Sequence, residues 1–223
     1  MRSVIFDLDG TLADTSGDLI AAANACFRGL GHGDMLDPVD DAATAFRGGR
    51  AMLRLGFGRL GLEEDALSEQ VEGQFNDLLA HYEAAIDVHT VLYPGAMDAV
   101  ERLRGQGVRV GICTNKPEGL AEILLRNLGV REAFGALIGA DTLPVRKPDA
   151  APLAETVSRM GGKLERSLIV GDTSTDRLAA RAAGIPCILV TFGPDGRAVA
   201  ALEPEALLDH FDHLPDLVAE MLP

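Results

Sequence analysis

Only three cysteines occur in the 223 residues, Cys26, Cys113 and Cys187, and they are widely scattered. That is too few for a disulfide framework, so they read as small buried hydrophobes of a reducing compartment. No apolar run approaches the roughly 18 residues of a spanning helix. The N-terminal stretch already carries Asp7, Asp9 and Asp14 and lacks the basic start and long apolar segment of a secretory signal. Basic charge is scarce: 20 Lys and Arg stand against 34 Asp and Glu, a net charge of −14. Such a chain is repelled by phosphate backbones and anionic membrane surfaces, which argues against nucleic-acid and membrane partners. The expectation is a cytoplasmic monomer or homodimer that acts on a small molecule.

What is present is ordinary for a globular protein, with 47% hydrophobic and 24% charged residues, which excludes disorder, collagen and coiled coil. At about 150 residues per domain the length fits one large domain, or one with an insert. A chain of this size buries about 70–75% of its unfolded surface and needs no staples. No repeat or low-complexity tract is visible.

Short runs rich in Val, Ile and Leu recur at Ser3–Phe6, Val108–Cys113, Ala136–Gly139, Ser167–Gly171 and Pro186–Thr191. They lack strict alternation, as suits strands buried on both faces of a parallel sheet. Between them, Ala96–Arg104, Pro117–Asn127, Pro152–Met160 and Ser174–Ala183 space their apolar residues by three and four, the helical period. Gly129 and Gly184 follow two of these helices as stop signals. Strand and helix in regular alternation predict a doubly wound α/β sheet with right-handed crossovers.

The stretch from Thr15 to Val91 breaks that rhythm. It is too long for a crossover and has no convincing strand, whereas Ser16–Leu30, Arg50–Phe57 and Glu63–Ala84 read as helices. The predicted organisation is a core of residues 1–14 and 92–223, with residues 15–91 inserted as a small helical domain. From Glu203 onward two short helices are expected, with Pro204 and Pro215 near their starts.

In an open α/β sheet, ligands bind outside the carboxyl ends of the strands. After the first strand stand Asp7, Asp9, Gly10 and Thr11; after the second, Thr114, Asn115 and Lys116. Beyond the third come Arg146, Lys147 and Pro148; after the fourth, Asp172, Thr173 and Asp176. Several carboxylates in one crevice repel each other, and a divalent cation removes that problem. Hard oxygen ligands favour Mg²⁺. A lysine and a Thr hydroxyl beside it make an anion cradle, and the set as a whole suggests phosphoryl transfer. Taken singly, each member has a plainer reading: a turn for Asp-Leu-Asp-Gly, a helix cap for Thr114–Asn115 or Asp172, a solvated side chain for Lys147. Their conjunction at four strand ends is what those readings leave unexplained. The five histidines show no ligand pairing and read as surface or structural.

Phe6-Asp7-Leu8-Asp9-Gly10-Thr11 resembles the nucleophile motif of the haloacid dehalogenase superfamily. Ile112-Cys113-Thr114-Asn115-Lys116-Pro117, Arg146-Lys147-Pro148 and Val170-Gly171-Asp172-Thr173-Ser174-Thr175-Asp176 resemble its second, third and fourth motifs, in order. The resemblance covers nearly the whole chain and places the helical insert where the superfamily carries a cap. It implies that Asp7 is the nucleophile, forming an aspartyl-phosphate, and that Asp9 is the general acid and base. It implies Mg²⁺ held by Asp7, the Asp9 carbonyl and Asp172, with Asp176 behind them. It gives Thr114, the Asn115 backbone and Lys147 to the phosphoryl group, and Gly10 to a close approach of the loop.

The segment Asp14–Val91 carries 14 acids and five arginines, four of the arginines from Arg47 to Arg59. Arg54 and Arg59 read equally well as a solvated face. Arg47 and Arg50 flank Gly48–Gly49, and an arginine there can pair with a substrate carboxylate. Arg50, then Arg47, is the expected contact to the non-phosphate end of the substrate. Within the superfamily the chain is similar to the phosphoglycolate phosphatases in its Asp14–Leu19 segment, in Thr114-Asn115-Lys116-Pro117 and in Thr191-Phe192-Gly193. It departs from them at Ala150, where a proline is usual, and its Gly-Gly-Arg loop resembles that of phosphomutases. A β-phosphoglucomutase-like enzyme or a sugar phosphatase is therefore the alternative. A dehalogenase fits less well, because that group lacks the second aspartate. A catalytically dead binding module fits poorly with a complete motif set.

Overall fold

The computed structural model describes residues 1–222. In chain order it contains β1 (Ser3–Phe6), β2 (Ala13–Asp14), α1 (Ser16–Gly29), α2 (Ala42–Ala45), α3 (Gly49–Arg59), α4 (Glu64–Ala84) and β3 (Val91–Leu92). There follow α5 (Ala96–Gly105), β4 (Arg109–Cys113), α6 (Glu118–Asn127), β5 (Leu137–Ile138), α7 (Ala151–Arg159), β6 (Ser167–Gly171), α8 (Ser174–Ala183), β7 (Cys187–Val190), β8 (Ala206–Leu208) and α9 (Leu214–Met221). The chain divides into two compact units, Thr15–Val91 and the remainder.

The larger unit is a six-stranded parallel sheet in the order β5-β4-β1-β6-β7-β8. This is the doubly wound α/β architecture expected from the sequence. Every residue of β1, β6 and β7 is buried, which is why these strands read as unbroken apolar runs. In register, Phe6 pairs with Ile112 on one side and Val170 on the other. The carboxyl ends of β4, β1 and β6 therefore finish together. The chain winds outward from β1 through β4 to β5, then returns to β6 on the other side of β1. That reversal is the point where such sheets open a ligand crevice.

α8 starts on a reciprocal cap between Thr173 and Asp176 and stops at Gly184, which takes a left-handed conformation at φ 68°. Gly171 is required at the end of β6, because a Cβ there would collide with the Asp176 side chain. The expected helix after Pro204 is absent: Ala206–Leu208 instead adds to the sheet, Val190 pairing with Leu208. Three residues between Glu205 and Asp209 are too few to offer a helix an apolar face, but they suffice to cover the open edge of β7. The helix near Pro215 does form, as α9.

The smaller unit is built from α1 to α4 around Ile20, Phe27, Met52, Leu53, Phe57 and Leu78. The Phe27 and Phe57 rings meet edge-on, 5.0 Å between centroids. The expected helices form within one or two residues at each end, and the short α2 is additional to them. Asp18 is buried in α1 and accepts from the backbone N–H groups of His89 and Thr90 and from the Thr90 hydroxyl. This ties the first helix to the last residues of the same unit. No helix among the described residues is long and apolar enough to cross a membrane.

Candidate active site

β1 ends at Phe6, but Asp7 keeps the strand register by donating its N–H to the Val170 carbonyl at 2.9 Å. Its carboxylate accepts the Leu8 N–H at 2.8 Å. The chain then turns back: Leu12 and Ala13 donate to the Leu8 carbonyl, and Gly10 supplies the left-handed residue, φ 79°. Thr11 is carried beneath the loop, where its hydroxyl donates to Asp172 Oδ1 at 2.9 Å.

Lys147 lies at the centre of this arrangement and is 2% exposed. Its Nζ is 3.0 Å from Asp7 Oδ1 and 2.6 Å from Asp176 Oδ1. Burial alone would lower this ammonium, but the two carboxylates outweigh it and hold the proton on. Asp176 spends its other oxygen on the Thr173 N–H and hydroxyl. Burial pushes the Asp7 carboxyl up to about 6, with Lys147 pulling the other way. Asp172 is pushed well up by burial and then by the charges of Asp7 and Asp176.

Asp7, Asp172 and Asp176 each offer a carboxylate oxygen, all within 4.8 Å of one another. Asp172 Oδ2 is buried without a hydrogen-bond partner. An orphaned carboxyl oxygen beside two other acids is costly as it stands, and a hard divalent cation satisfies it. These residues therefore fit a metal.

The β4 end contributes a second group of contacts. Thr114 is 3% exposed; its N–H donates to Ile138 and its hydroxyl accepts the Lys116 N–H at 3.1 Å. The Asn115 amide donates to the Lys147 carbonyl at 3.0 Å, so its side chain couples two loops. Lys116 Nζ reaches Asp9 Oδ1 at 2.6 Å.

The core unit thus brings together Asp7, Asp9, Gly10, Thr114, Asn115, Lys147, Asp172 and Asp176. Thr11 and Lys116, strand-end residues to which the family resemblance gives no role, belong to the same site. A signal for Lys116 existed: the chain has only three lysines among its 20 basic residues, and two of them are buried here. The two arginines lie in the helical unit. Arg50 makes a two-pronged pair with Glu72, at 2.7 and 2.9 Å, and its guanidinium sits 3.7 Å above the Phe75 ring. Arg47 is exposed, and its side chain has no hydrogen-bond or ion-pair partner among the described residues.

Residues 1–184 match the family model described as haloacid dehalogenase-like hydrolase. The chain is 37% identical to a phosphoglycolate phosphatase of Agrobacterium fabrum, over 98% of this chain and 92% of that protein. It is also 37% identical, over the full length of both, to a phosphoglycolate phosphatase of Cereibacter sphaeroides. In fold it resembles the crystal structure of a predicted phosphoglycolate phosphatase from Haemophilus somnus, with a TM-score of 0.83, 23% identity and 97% of each chain covered.

Proposed function

The chain belongs to the haloacid dehalogenase-like hydrolases, and from that membership we propose that this phosphoric monoester hydrolase acts on 2-phosphoglycolate through an aspartyl-phosphate. The observation that carries the reading is the buried Lys147 held between Asp7 and Asp176, beside the donor-less Asp172 Oδ2. Lys147 keeps Asp7 aimed and supplies positive charge where phosphoryl oxygens gather during transfer. Asp7 attacks phosphorus, and the bond to the leaving oxygen breaks as Asp9 gives that oxygen its proton. Asp9 then takes a proton from the water that cleaves the acyl phosphate, so Asp7 is regenerated and inorganic phosphate leaves. The Thr114 hydroxyl and the Asn115 backbone N–H complete the cradle, while the Asn115 side chain braces Lys147 from behind.

Asp7, the Asp9 carbonyl and Asp172 are the groups that hold a divalent cation, with Asp176 behind them. Mg²⁺ supplies charge compensation for this carboxylate set and for the phosphoryl oxygens. The helical unit serves as a cap that excludes water, closing on hinges near Ala13–Ser16 and Val91–Gly95. Two curated relatives named for phosphoglycolate support the substrate. Because Arg50 is engaged by Glu72, Arg47 is the one we assign to the substrate carboxylate.

The test is phosphate release with Mg²⁺ and then with chelator, across 2-phosphoglycolate, glucose phosphates, pyrophosphate and nucleotides, with Asp7→Asn as control. Preference for 2-phosphoglycolate, lost in the variant and with chelator, is the expected result. Isomerised phosphosugar with little free phosphate would replace this reading with a mutase.

A further inference from the structure

Resting on the phosphatase reading above, we propose that Lys116 is the positioning residue for Asp9, the group that moves the proton. The pair is close and sheltered: Nζ to Oδ1 is 2.6 Å, with side-chain exposures of 4% for Lys116 and 18% for Asp9. The lysine is anchored at both ends of its own backbone. Its N–H donates to the Thr114 hydroxyl, and its carbonyl accepts the Ala140 N–H at 2.9 Å. Lys116 is therefore a fixed point on the β4 side, and Asp9 is set against it from the β1 loop.

The two buried lysines pair with three of the four carboxylates of the site, leaving out Asp172. Lys147 serves Asp7 and Asp176, and Lys116 serves Asp9. Arginine is the chain's usual cation, 17 of its 20 basic residues. Its planar fork needs a bidentate partner, whereas an ammonium is a compact point charge that fits a pocket beside one carboxylate oxygen. That chemistry suits aiming a single acid. A proton donor must lie within hydrogen-bond reach of the oxygen it serves, and misplacement by about 1 Å costs on the order of 100-fold in rate.

The demand on Asp9 depends on the leaving group. An alkyl phosphate such as 2-phosphoglycolate expels a poor leaving group and needs the acid. A p-nitrophenyl phosphate expels a stable phenolate and needs it far less. Release of the leaving group in a single turnover isolates this step from the later attack of water.

The experiment measures that rate with Mg²⁺ for both esters in the wild type, Lys116→Met, Lys116→Arg, Asp9→Asn and the Lys116→Met/Asp9→Asn pair. Near-UV circular dichroism establishes that each variant folds, and Lys116→Gln takes the place of the Met variant if that one does not. The expected result is a loss on the order of 100-fold for the alkyl ester in the Met variant. The aryl ester should lose at least about tenfold less, and Lys116→Arg should recover part of the difference. On the Asp9→Asn background the Met substitution should cost less than about threefold, since the two residues act as one unit. An equal loss on both esters, or full additivity with Asp9→Asn, overturns the proposal. A rise in KM with the single-turnover rate intact also overturns it, making Lys116 a substrate-binding group. If the wild type hydrolyses neither ester, the phosphatase reading itself falls, an outcome no Lys116 variant can produce.

Discussion

Lys147 and Asp176 form an ion pair, 2.6 Å between Nζ and Oδ1, in which neither side chain is more than 1% exposed. Asp176 caps α8 with its other oxygen, so one carboxylate joins the helix start to the centre of the site. Removing one partner of a buried pair leaves an uncompensated charge, which costs about 3–5 kcal/mol. Asp176→Ala should therefore lower stability in urea titration by about that amount and abolish activity. A loss under about 1 kcal/mol would show that the pair does not hold the core.

The metal-free protein should lose stability as pH rises. Asp7 ionises near 6 when folded and near 3.8 when unfolded. Between those values the folded state binds more protons, so this contribution is fully present below about pH 4 and gone above about pH 6. In chelator, the melting temperature of the wild type should fall across that window relative to Asp7→Asn, which has no such group. Divalent cation should reverse the fall. A parallel pH dependence in the two proteins would contradict the burial argument.

Arg47 and Arg50 should separate in kinetics. Arg47→Ala should raise KM for 2-phosphoglycolate by about tenfold or more, the cost of one charge-assisted contact. Arg50→Ala should raise it less, because the Arg50 guanidinium is already taken by Glu72 and Phe75. Steady-state constants for both variants decide the matter, and the reverse order would return the substrate contact to Arg50.

Gly56→Ala should destabilise the helical unit despite its helical position. Alanine gains about 1 kcal/mol over glycine in a helix. A Cβ at Gly56, however, would collide with the Phe27 ring, itself packed on Phe57. Overpacking costs about 1–3 kcal/mol, so the net effect should be a lower melting temperature. A higher one would show that the Phe27 ring moves aside freely.

The sequence alone determined the strands Ser3–Phe6 and Ser167–Gly171, the helix Ser174–Ala183 and the acids that follow the strands. These are local signals: an apolar run closed by Asp-Leu-Asp-Gly, or by Gly-Asp-Thr, is legible wherever the rest of the chain lies. The tertiary structure decided the partnerships. Lys116 meets Asp9 across 107 residues, and Lys147 meets Asp176 across 29. It also set Arg50 against Glu72, which stands opposite it on a neighbouring helix. Ala206–Leu208 became a strand for the same reason, because only the open edge of β7 gives so short a segment its hydrogen bonds. Periodicity and composition carry what a residue prefers along its own chain. Which charge neutralises which depends on the distance between elements far apart in sequence, and only packing sets that distance.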